Sequence, residues 1–145
     1  MSSGRILQAT LKTLDRILPP PALAPHQLTG QRGEEDAYFY LRRLGYVIIA
    51  RNYRSPRRRG EIDLIGWEGG SLCFIEVKTR TTHDVKPAEA AVDRDKRREL
   101  LGMAHEYLRR VPADTAFRFD VLSVYYESIA GTPRFELFRD AFSSR

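Results

Sequence analysis

A chain of 145 residues is long enough for one ordinary domain and too short for two hydrophobic cores joined by a linker. Its apolar fraction of 42% excludes a disordered chain, because disordered sequences lack the apolar surface that offsets the entropy of ordering. Lys and Arg outnumber Asp and Glu by 24 to 19, which favours polyanionic partners such as nucleic acid without establishing one.

Cysteine usage and the length of the apolar segments indicate a cytoplasmic protein. The single cysteine, Cys73, excludes an internal disulfide, and its place in the run LCFIEV predicts a buried small side chain in a reducing compartment. No apolar stretch approaches the roughly 20 residues that span a bilayer, and the N-terminus lacks an uninterrupted signal-peptide core. We therefore expect no membrane span.

The first 29 residues predict a helix followed by a stiff connector. Residues 5–18 carry apolar side chains at helical spacing, and the prolines that follow are Pro19, Pro20, Pro21 and Pro25. We divide the chain into an N-terminal helix with its Pro-rich linker, residues 1–29, and a domain, residues 30–145. Such a helix most often packs on its own domain, although a basic amphipathic helix can also bind membranes.

The domain is predicted to begin with a helix, a strand and a basic loop. Gly30 precedes a helical pattern that contains Ala37 and Leu41, and Gly45 is a natural C-terminal cap. Residues 46–54 are rich in β-branched and aromatic side chains, and the SPRRRG segment after them is turn-forming. Gly69-Gly70 then separates EIDLIGW from SLCFIEVKTR, which predicts an antiparallel hairpin.

The second half of the chain predicts one long helix and two more strands. An apolar stripe runs from about Val92 to Val111, and Pro112 ends the helix. FRFDVLSVYY alternates like a strand, and a weaker apolar stretch surrounds Leu137. The order α, αβββαβ, β predicts an α/β fold in which helices flank a mixed sheet.

The hairpin places acidic side chains next to each other. A two-residue turn at Gly69-Gly70 puts Asp63 opposite Glu76, and the next pair on the same face is Glu61 with Lys78. Opposed carboxylates destabilise a sheet and Lys78 supplies only one positive charge, so the arrangement favours a divalent cation such as Mg²⁺. On the spacing alone, an ordinary solvated face without a metal is the favoured interpretation.

Several segments in fixed order resemble the bacterial YraN family of uncharacterised proteins: GEEDAYFYLRRLGYVIIARNYR, GEIDLIGW, FIEVKTR, the helix with Lys96, and the closing Asp140-Ala141-Phe142. The resemblance covers about residues 30–142. That family is similar to the PD-(D/E)xK nuclease superfamily, particularly archaeal Holliday-junction resolvases, whose restriction-endonuclease-like αβββαβ core carries a metal on its central hairpin. Ile62 stands where the superfamily motif has proline.

The resemblance implies a divalent-metal-dependent endonuclease that acts on structured or branched DNA. Glu34 corresponds to the superfamily's helix acid, Asp63 to its first hairpin acid, and Glu76 with Lys78 to its terminal pair. Asp63, Glu76 and the backbone carbonyl of Val77 would bind Mg²⁺ or Mn²⁺, with Glu34 as a further candidate ligand, and Lys78 would act on the attacking water or the transition state. Glu34 is also an ordinary first-turn acid that favours the helix dipole.

Basic residues near the proposed site predict DNA contacts. These residues are Arg54, Arg57, Arg58, Arg59, Arg80 and Lys96. Phosphate contacts from them would give sequence-independent, salt-sensitive affinity, although solubilising charge explains the loop equally well. Resolvases that resemble this chain act as dimers, which makes a homodimer a further expectation.

A second interpretation comes from a different class of protein. A non-catalytic nucleic-acid-binding or protein-interaction module can be built on a nuclease fold, because fold does not imply function. The intact set of acids and lysine favours catalysis, since a fold kept only for binding would be free to lose Asp63 or Lys78. A third interpretation, an adaptor that docks through its N-terminal helix, has no positive support in the sequence.

Overall fold

The computed structural model describes residues 25–81, 93–128 and 130–143, so the predicted helix over residues 5–18 lies outside the described residues. The elements of the described part are α1 (Pro25–Arg43), β1 (Val47–Tyr53), β2 (Ile62–Glu68), β3 (Ser71–Thr81), α2 (Arg94–Leu108), β4 (Ala116–Tyr126) and β5 (Arg134–Phe142). This order confirms the predicted αβββαβ core with one further strand.

The strands form one mixed sheet in the order β1-β2-β3-β4-β5. Strands β3 and β4 are parallel, as expected of two strands joined by a helix, and the other neighbours are antiparallel. Helix α2 contributes Leu100 and Met103 to a core cluster with Phe74, and α1 contributes Leu41 to a second cluster with Ile75. Successive residues of β3 therefore face opposite helices, and the central strand is buried on both sides.

Helix α1 begins at Pro25, five residues before the predicted start at Gly30. Proline suits a first helical position because its missing N–H needs no partner there. Gly33 lies inside the helix, where a Cβ would stand 1.9 Å from Thr79 Oγ1 of β3. The glycine thus allows α1 to lie directly against the sheet.

The C-terminus of α1 confirms the predicted glycine cap. Gly45 has φ +100°, a conformation that glycine adopts without strain. Its N–H donates to the Arg42 carbonyl at 3.0 Å, and the Tyr46 N–H donates to the Leu41 carbonyl at 3.0 Å. These two bonds form a Schellman cap, which turns the chain directly into β1.

The predicted hairpin register is confirmed from Glu68 opposite Ser71 to Leu64 opposite Ile75. Helix α2 is shorter than its predicted span of residues 92–111, because Asp93 caps its first turn and it ends at Leu108. Cys73 is buried, as predicted. Among the described residues, no helix is both long and apolar enough to cross a membrane.

Candidate metal centre

Three carboxylates from different segments meet beside the start of β2. They belong to Glu34 of α1, Glu61 just before β2, and Asp63 within β2, and one oxygen of each lies within 4.8 Å of the others. The contact between Gly33 and Thr79 brings the first half of α1 down onto β3, which places Glu34 over the strand ends. Local packing of a helix against a sheet therefore assembles the cluster.

Strand β2 changes its side-chain alternation at Asp63. Ile62 and Leu64 lie two residues apart, yet Ile62 packs in the α2-side cluster and Leu64 in the α1-side cluster. Asn52 of β1 lies opposite Asp63, between the paired residues on either side, and has φ +50°. Asparagine tolerates this left-handed conformation better than most residues. Asn52 is therefore the point at which the side chains of the two strands can change the face of the sheet to which they point.

The Asp63 carboxylate turns toward β3. Its Oδ2 accepts a hydrogen bond from the backbone N–H of Val77 at 2.8 Å. The described pairing of β2 with β3 ends one residue earlier, at Leu64 and Ile75, so the predicted face-to-face pair of Asp63 with Glu76 is not part of the regular ladder. This bond holds the Val77 backbone beside Asp63. The carbonyl of Val77 is one of the predicted metal ligands.

Burial and crowding raise the pKa values of two of the clustered acids, Asp63 and Glu34. Burial and the negative charge of Glu76 raise the pKa of Asp63 to about 8, against the lowering effect of the Val77 hydrogen bond. Burial, Glu61 and Glu76 raise the pKa of Glu34, and Arg51 opposes them. The raised pKa values mean that burial and mutual repulsion disfavour the ionised forms of Asp63 and Glu34.

Glu76 lies beside two lysines. Its side chain is only 6% exposed, with Oε1 at 3.4 Å from Lys78 Nζ and 3.9 Å from Lys96 Nζ. Lys96 comes from the first turn of α2, where its N–H donates to the Asp93 side chain at 2.8 Å. The second oxygen, Oε2, is buried and has no hydrogen-bond partner in the described structure. It remains available to a ligand.

Glu61 differs from its predicted position. It precedes β2, and its Oε2 lies 2.8 Å from Arg54 Nη2, so the prediction that it pairs with Lys78 is wrong. The physical reason is the shift of β2 at Asp63, which ends the register on which that prediction depended. In the amide orientation that satisfies both polar atoms, Asn52 donates to Glu34 Oε2 at 3.1 Å and Glu61 Oε1 at 3.2 Å. The sequence reasoning missed Asn52.

A polar stripe continues from Glu76 along the α2 side of the sheet. The alternation of β3 puts Lys78 and Arg80 on this side, and the parallel register puts Ser123 of β4 beside Lys78. Arg80 Nε and Ser123 Oγ are buried without a hydrogen-bond partner in the part that the structure describes. No sequence motif indicates that Ser123 belongs to this stripe. Only the parallel register of β3 and β4 could have predicted that it lies beside Lys78.

The basic loop between β1 and β2 is docked on α2. Ser55 is buried, and its hydroxyl lies 2.8 Å from both carboxylate oxygens of Glu106. Arg58 Nε is 3.8 Å from the same carboxylate, and Arg57 and Arg59 are exposed. The loop therefore has a fixed place on the surface instead of projecting freely beside the acids.

The fold and the site define an α/β protein with an acidic cluster between its first helix and its central hairpin. The model of the family described as "Uncharacterised protein family UPF0102" matches residues 33–124, a span that includes Glu34, Asp63, Glu76 and Lys78. The chain belongs to this family, which confirms the predicted YraN membership.

Relatives from several bacteria share most of the chain. A UPF0102 protein of Koribacter versatilis is 50% identical over 135 residues, which cover 93% of each chain. One from Solibacter usitatus is 46% identical over 114 residues, or 78% of this chain and 84% of the relative. One from Porphyromonas gingivalis is 40% identical over 120 residues, or 83% of this chain and 87% of the relative.

Proposed function

We propose that this protein is a divalent-metal-dependent endonuclease that hydrolyses phosphodiester bonds in structured or branched DNA. One observation carries the proposal: the carboxylates of Glu34, Glu61 and Asp63 converge within 4.8 Å beside a lysine-paired Glu76. The choice of structured DNA rests on the resemblance to Holliday-junction resolvases. The cytoplasm is the compartment that we assign, and a homodimer would supply the two sites that symmetric incision needs.

The donor set fits Mg²⁺ or Mn²⁺. Hard divalent cations prefer carboxylate and carbonyl oxygens, and Mg²⁺ commonly takes one or two carboxylates and completes its shell with water and phosphate oxygens. Asp63, Glu76, Glu34 and the Val77 carbonyl would hold the ion, and the structure adds Glu61 as a candidate. A cation there would favour the ionised form of Asp63, whose pKa is raised by burial and by the charge of Glu76, and would give Glu76 Oε2 a partner. When bound, it supplies a positive charge that acidifies water and offsets charge on a phosphate.

The chain's own cations would act on the scissile phosphate. Lys78 Nζ, which lies 3.4 Å from Glu76 Oε1, would orient the attacking water or stabilise charge that develops on phosphate oxygens. Arg80 Nε and Ser123 Oγ, which have no partner among the described residues, lie on the same side of the sheet and would offer further donors to non-bridging oxygens. Lys96 adds a second ammonium group beside Glu76.

A cleavage assay tests the proposal. Purified protein is incubated with Mg²⁺ or Mn²⁺ and with linear, flapped and four-way DNA, and wild type is compared with Asp63→Asn and Lys78→Ala. We expect metal-dependent cleavage that prefers branched DNA, and we expect each substitution to reduce kcat by about 10² or more. Glu35→Gln is the matched control, because Glu35 adjoins Glu34 on α1 but is exposed and pairs with Arg51 at 3.2 Å.

Two outcomes would contradict the proposal. Cleavage that persists in both Asp63→Asn and Lys78→Ala would mean that the activity does not come from this site. DNA binding without cleavage under any metal would favour the non-catalytic module.

A further inference from the structure

A basic groove lies against the second half of α2, away from the acids. Its cavity of about 400 Å³ is lined by Arg57, Arg58, Gly102, His105, Glu106 and Arg109. Lys96, which reaches Glu76, precedes His105 by nine residues on the same helix. At 1.5 Å per residue, that separation is about 14 Å along α2. The groove is therefore distinct from the acidic cluster.

A glycine inside α2 gives Arg58 its place in the groove. A Cβ at Gly102 would stand 2.2 Å from Arg58 Nη1 and 2.8 Å from its Cζ, so only glycine lets the guanidinium lie this close to the helix. Glycine in a helix interior costs about 1 kcal/mol relative to alanine. The helix thus contains a residue of low helix propensity, Gly102, at the position where the Arg58 guanidinium lies against it.

The groove has an excess of positive charge. Among the described residues, its lining contains three guanidinium groups and one carboxylate, that of Glu106. The Ser55 hydroxyl and Arg58 already contact this carboxylate, at 2.8 Å and 3.8 Å. Arg57 and Arg109 are exposed and have room for an anion in the cavity. Guanidinium groups bind phosphate oxygens through paired hydrogen bonds, which makes a phosphate group the chemically matched ligand.

We propose that Arg57, Arg58 and Arg109 form a second phosphate-binding site, which holds the backbone of DNA at a distance from the bond that is cut. The inference rests on the proposed function in taking DNA as the ligand. For a duplex that lies parallel to α2, 14 Å along the helix corresponds to about four base pairs, because phosphates of one strand advance about 3.4 Å along the duplex axis. The groove would thus orient the substrate through contacts that carry no sequence information.

DNA binding in EDTA tests the site without requiring cleavage. Affinity for a labelled duplex and a four-way junction is measured by fluorescence anisotropy between about 50 and 200 mM salt, the range over which phosphate contacts dominate the salt dependence. Arg58→Ala and Arg109→Ala are each expected to reduce the slope of log affinity against log salt by about 1 for a lost phosphate contact. Arg43→Ala is the matched control, since Arg43 is an exposed arginine on α1, across the sheet.

Gly102→Ala is a second variant that does not depend on removing a charge. The new methyl group displaces the Arg58 guanidinium, while alanine favours the helix, so we expect weaker DNA binding with an unchanged or higher Tm. A binding defect that is accompanied by an unchanged or higher Tm cannot be ascribed to unfolding.

The proposal is overturned if Arg58→Ala, Arg109→Ala and Gly102→Ala all bind DNA with the wild-type slope, or if anionic lipid vesicles bind the groove and DNA does not. Cleavage measured in parallel separates the two proposals. Altered slopes in a protein that never cuts DNA would support the groove and refute the nuclease. Normal slopes in a protein that cuts DNA would do the reverse.

Discussion

The backbone N–H of Val77 donates to Asp63 Oδ2 at 2.8 Å and so joins a carboxylate of one hairpin strand to the backbone of the next. This bond lowers the pKa of Asp63, but burial and the charge of Glu76 outweigh it and raise the pKa to about 8. The hairpin therefore holds an acid whose ionised form lacks compensation in the metal-free protein. That imbalance has consequences for stability that can be measured.

We predict that Asp63→Asn stabilises the metal-free protein at alkaline pH. The folded-state pKa of Asp63, about 8, lies above the ordinary aspartate value of 3.8, so folding favours its protonated form. Its contribution is present below the unfolded pKa and is lost as pH rises through the folded pKa. Asparagine stays neutral and can still accept the Val77 hydrogen bond. In EDTA, the Tm of the variant should exceed that of wild type by a margin that grows from pH 5 to pH 9.

The margin should reach several degrees, because 1 kcal/mol corresponds to about 2–4 °C for a protein of this size. Asp114→Asn, at an exposed aspartate in the segment before β4, is the control and should show no such trend. A margin between Asp63→Asn and wild type that stays constant with pH would show that Asp63 does not carry the raised pKa.

Substitutions of two neighbouring glutamates should differ in their effect on metal affinity. Glu34 belongs to the carboxylate cluster, whereas Glu35 is paired with Arg51 outside it. We expect Glu34→Gln to weaken Mn²⁺ binding on the order of tenfold, a loss of about 1.4 kcal/mol, and Glu35→Gln to leave it within about twofold. Calorimetric titration measures both, and the rise of Tm with metal concentration provides a second readout. Equal affinities for the two variants would remove Glu34 from the site.

The parts of the fold that depend on short-range rules were predictable from the sequence. Gly69-Gly70 set the register of the hairpin, Gly45 ended α1, and the apolar run around Cys73 became a strand buried on both faces. Each of these depends on a few adjacent residues whose conformational preferences agree with the final structure. The start of α1 was missed because residues before Gly30 continue the helix without a strong apolar pattern.

The candidate site was predictable only where it follows regular strands. Glu76 and Lys78 lie on one side of β3, as alternation requires, and the structure brings them together. The predicted position of Glu61 was wrong because the left-handed Asn52 and the shift at Asp63 break the alternation of side chains between the two faces of the sheet. No short-range rule predicts such a break. Tertiary contacts that join distant segments likewise decided how the basic loop docks on α2.

Two buried serines should respond oppositely to removal of their hydroxyls. Ser55 donates to Glu106 at 2.8 Å and accepts from the Arg57 N–H at 3.1 Å, so Ser55→Ala should cost about 1.5–3 kcal/mol, the range for a hydrogen bond to a charged group. Ser123 Oγ has no partner within the described segments, so Ser123→Ala should leave the free energy of unfolding unchanged or raise it. Urea unfolding of both variants tests this. Equal losses would mean that the Ser123 hydroxyl has a partner in the folded protein.

The largest loss of stability is predicted at Arg118, at the other end of the sheet. Its guanidinium lies 2.9 Å from Asp120, whose side chain is fully buried, and 2.6 Å from Glu68. Removing one partner leaves a buried charge without compensation, which typically costs about 3–5 kcal/mol. Arg118→Met keeps most of the side-chain volume, so its loss in urea unfolding reports the charge. Arg139→Ala, which breaks an exposed pair with Glu68, should cost less than about 1 kcal/mol.

A double variant identifies the cause of that loss. Asp120 also accepts hydrogen bonds from the Tyr46 hydroxyl and the Asp140 N–H, each at 3.0 Å and on different carboxylate oxygens, and asparagine can still accept one of them through its single oxygen. If the uncompensated charge is the cause, Arg118→Met combined with Asp120→Asn should be more stable than Arg118→Met alone. If the double variant is no more stable, the cost comes from lost packing or from the contact with Glu68.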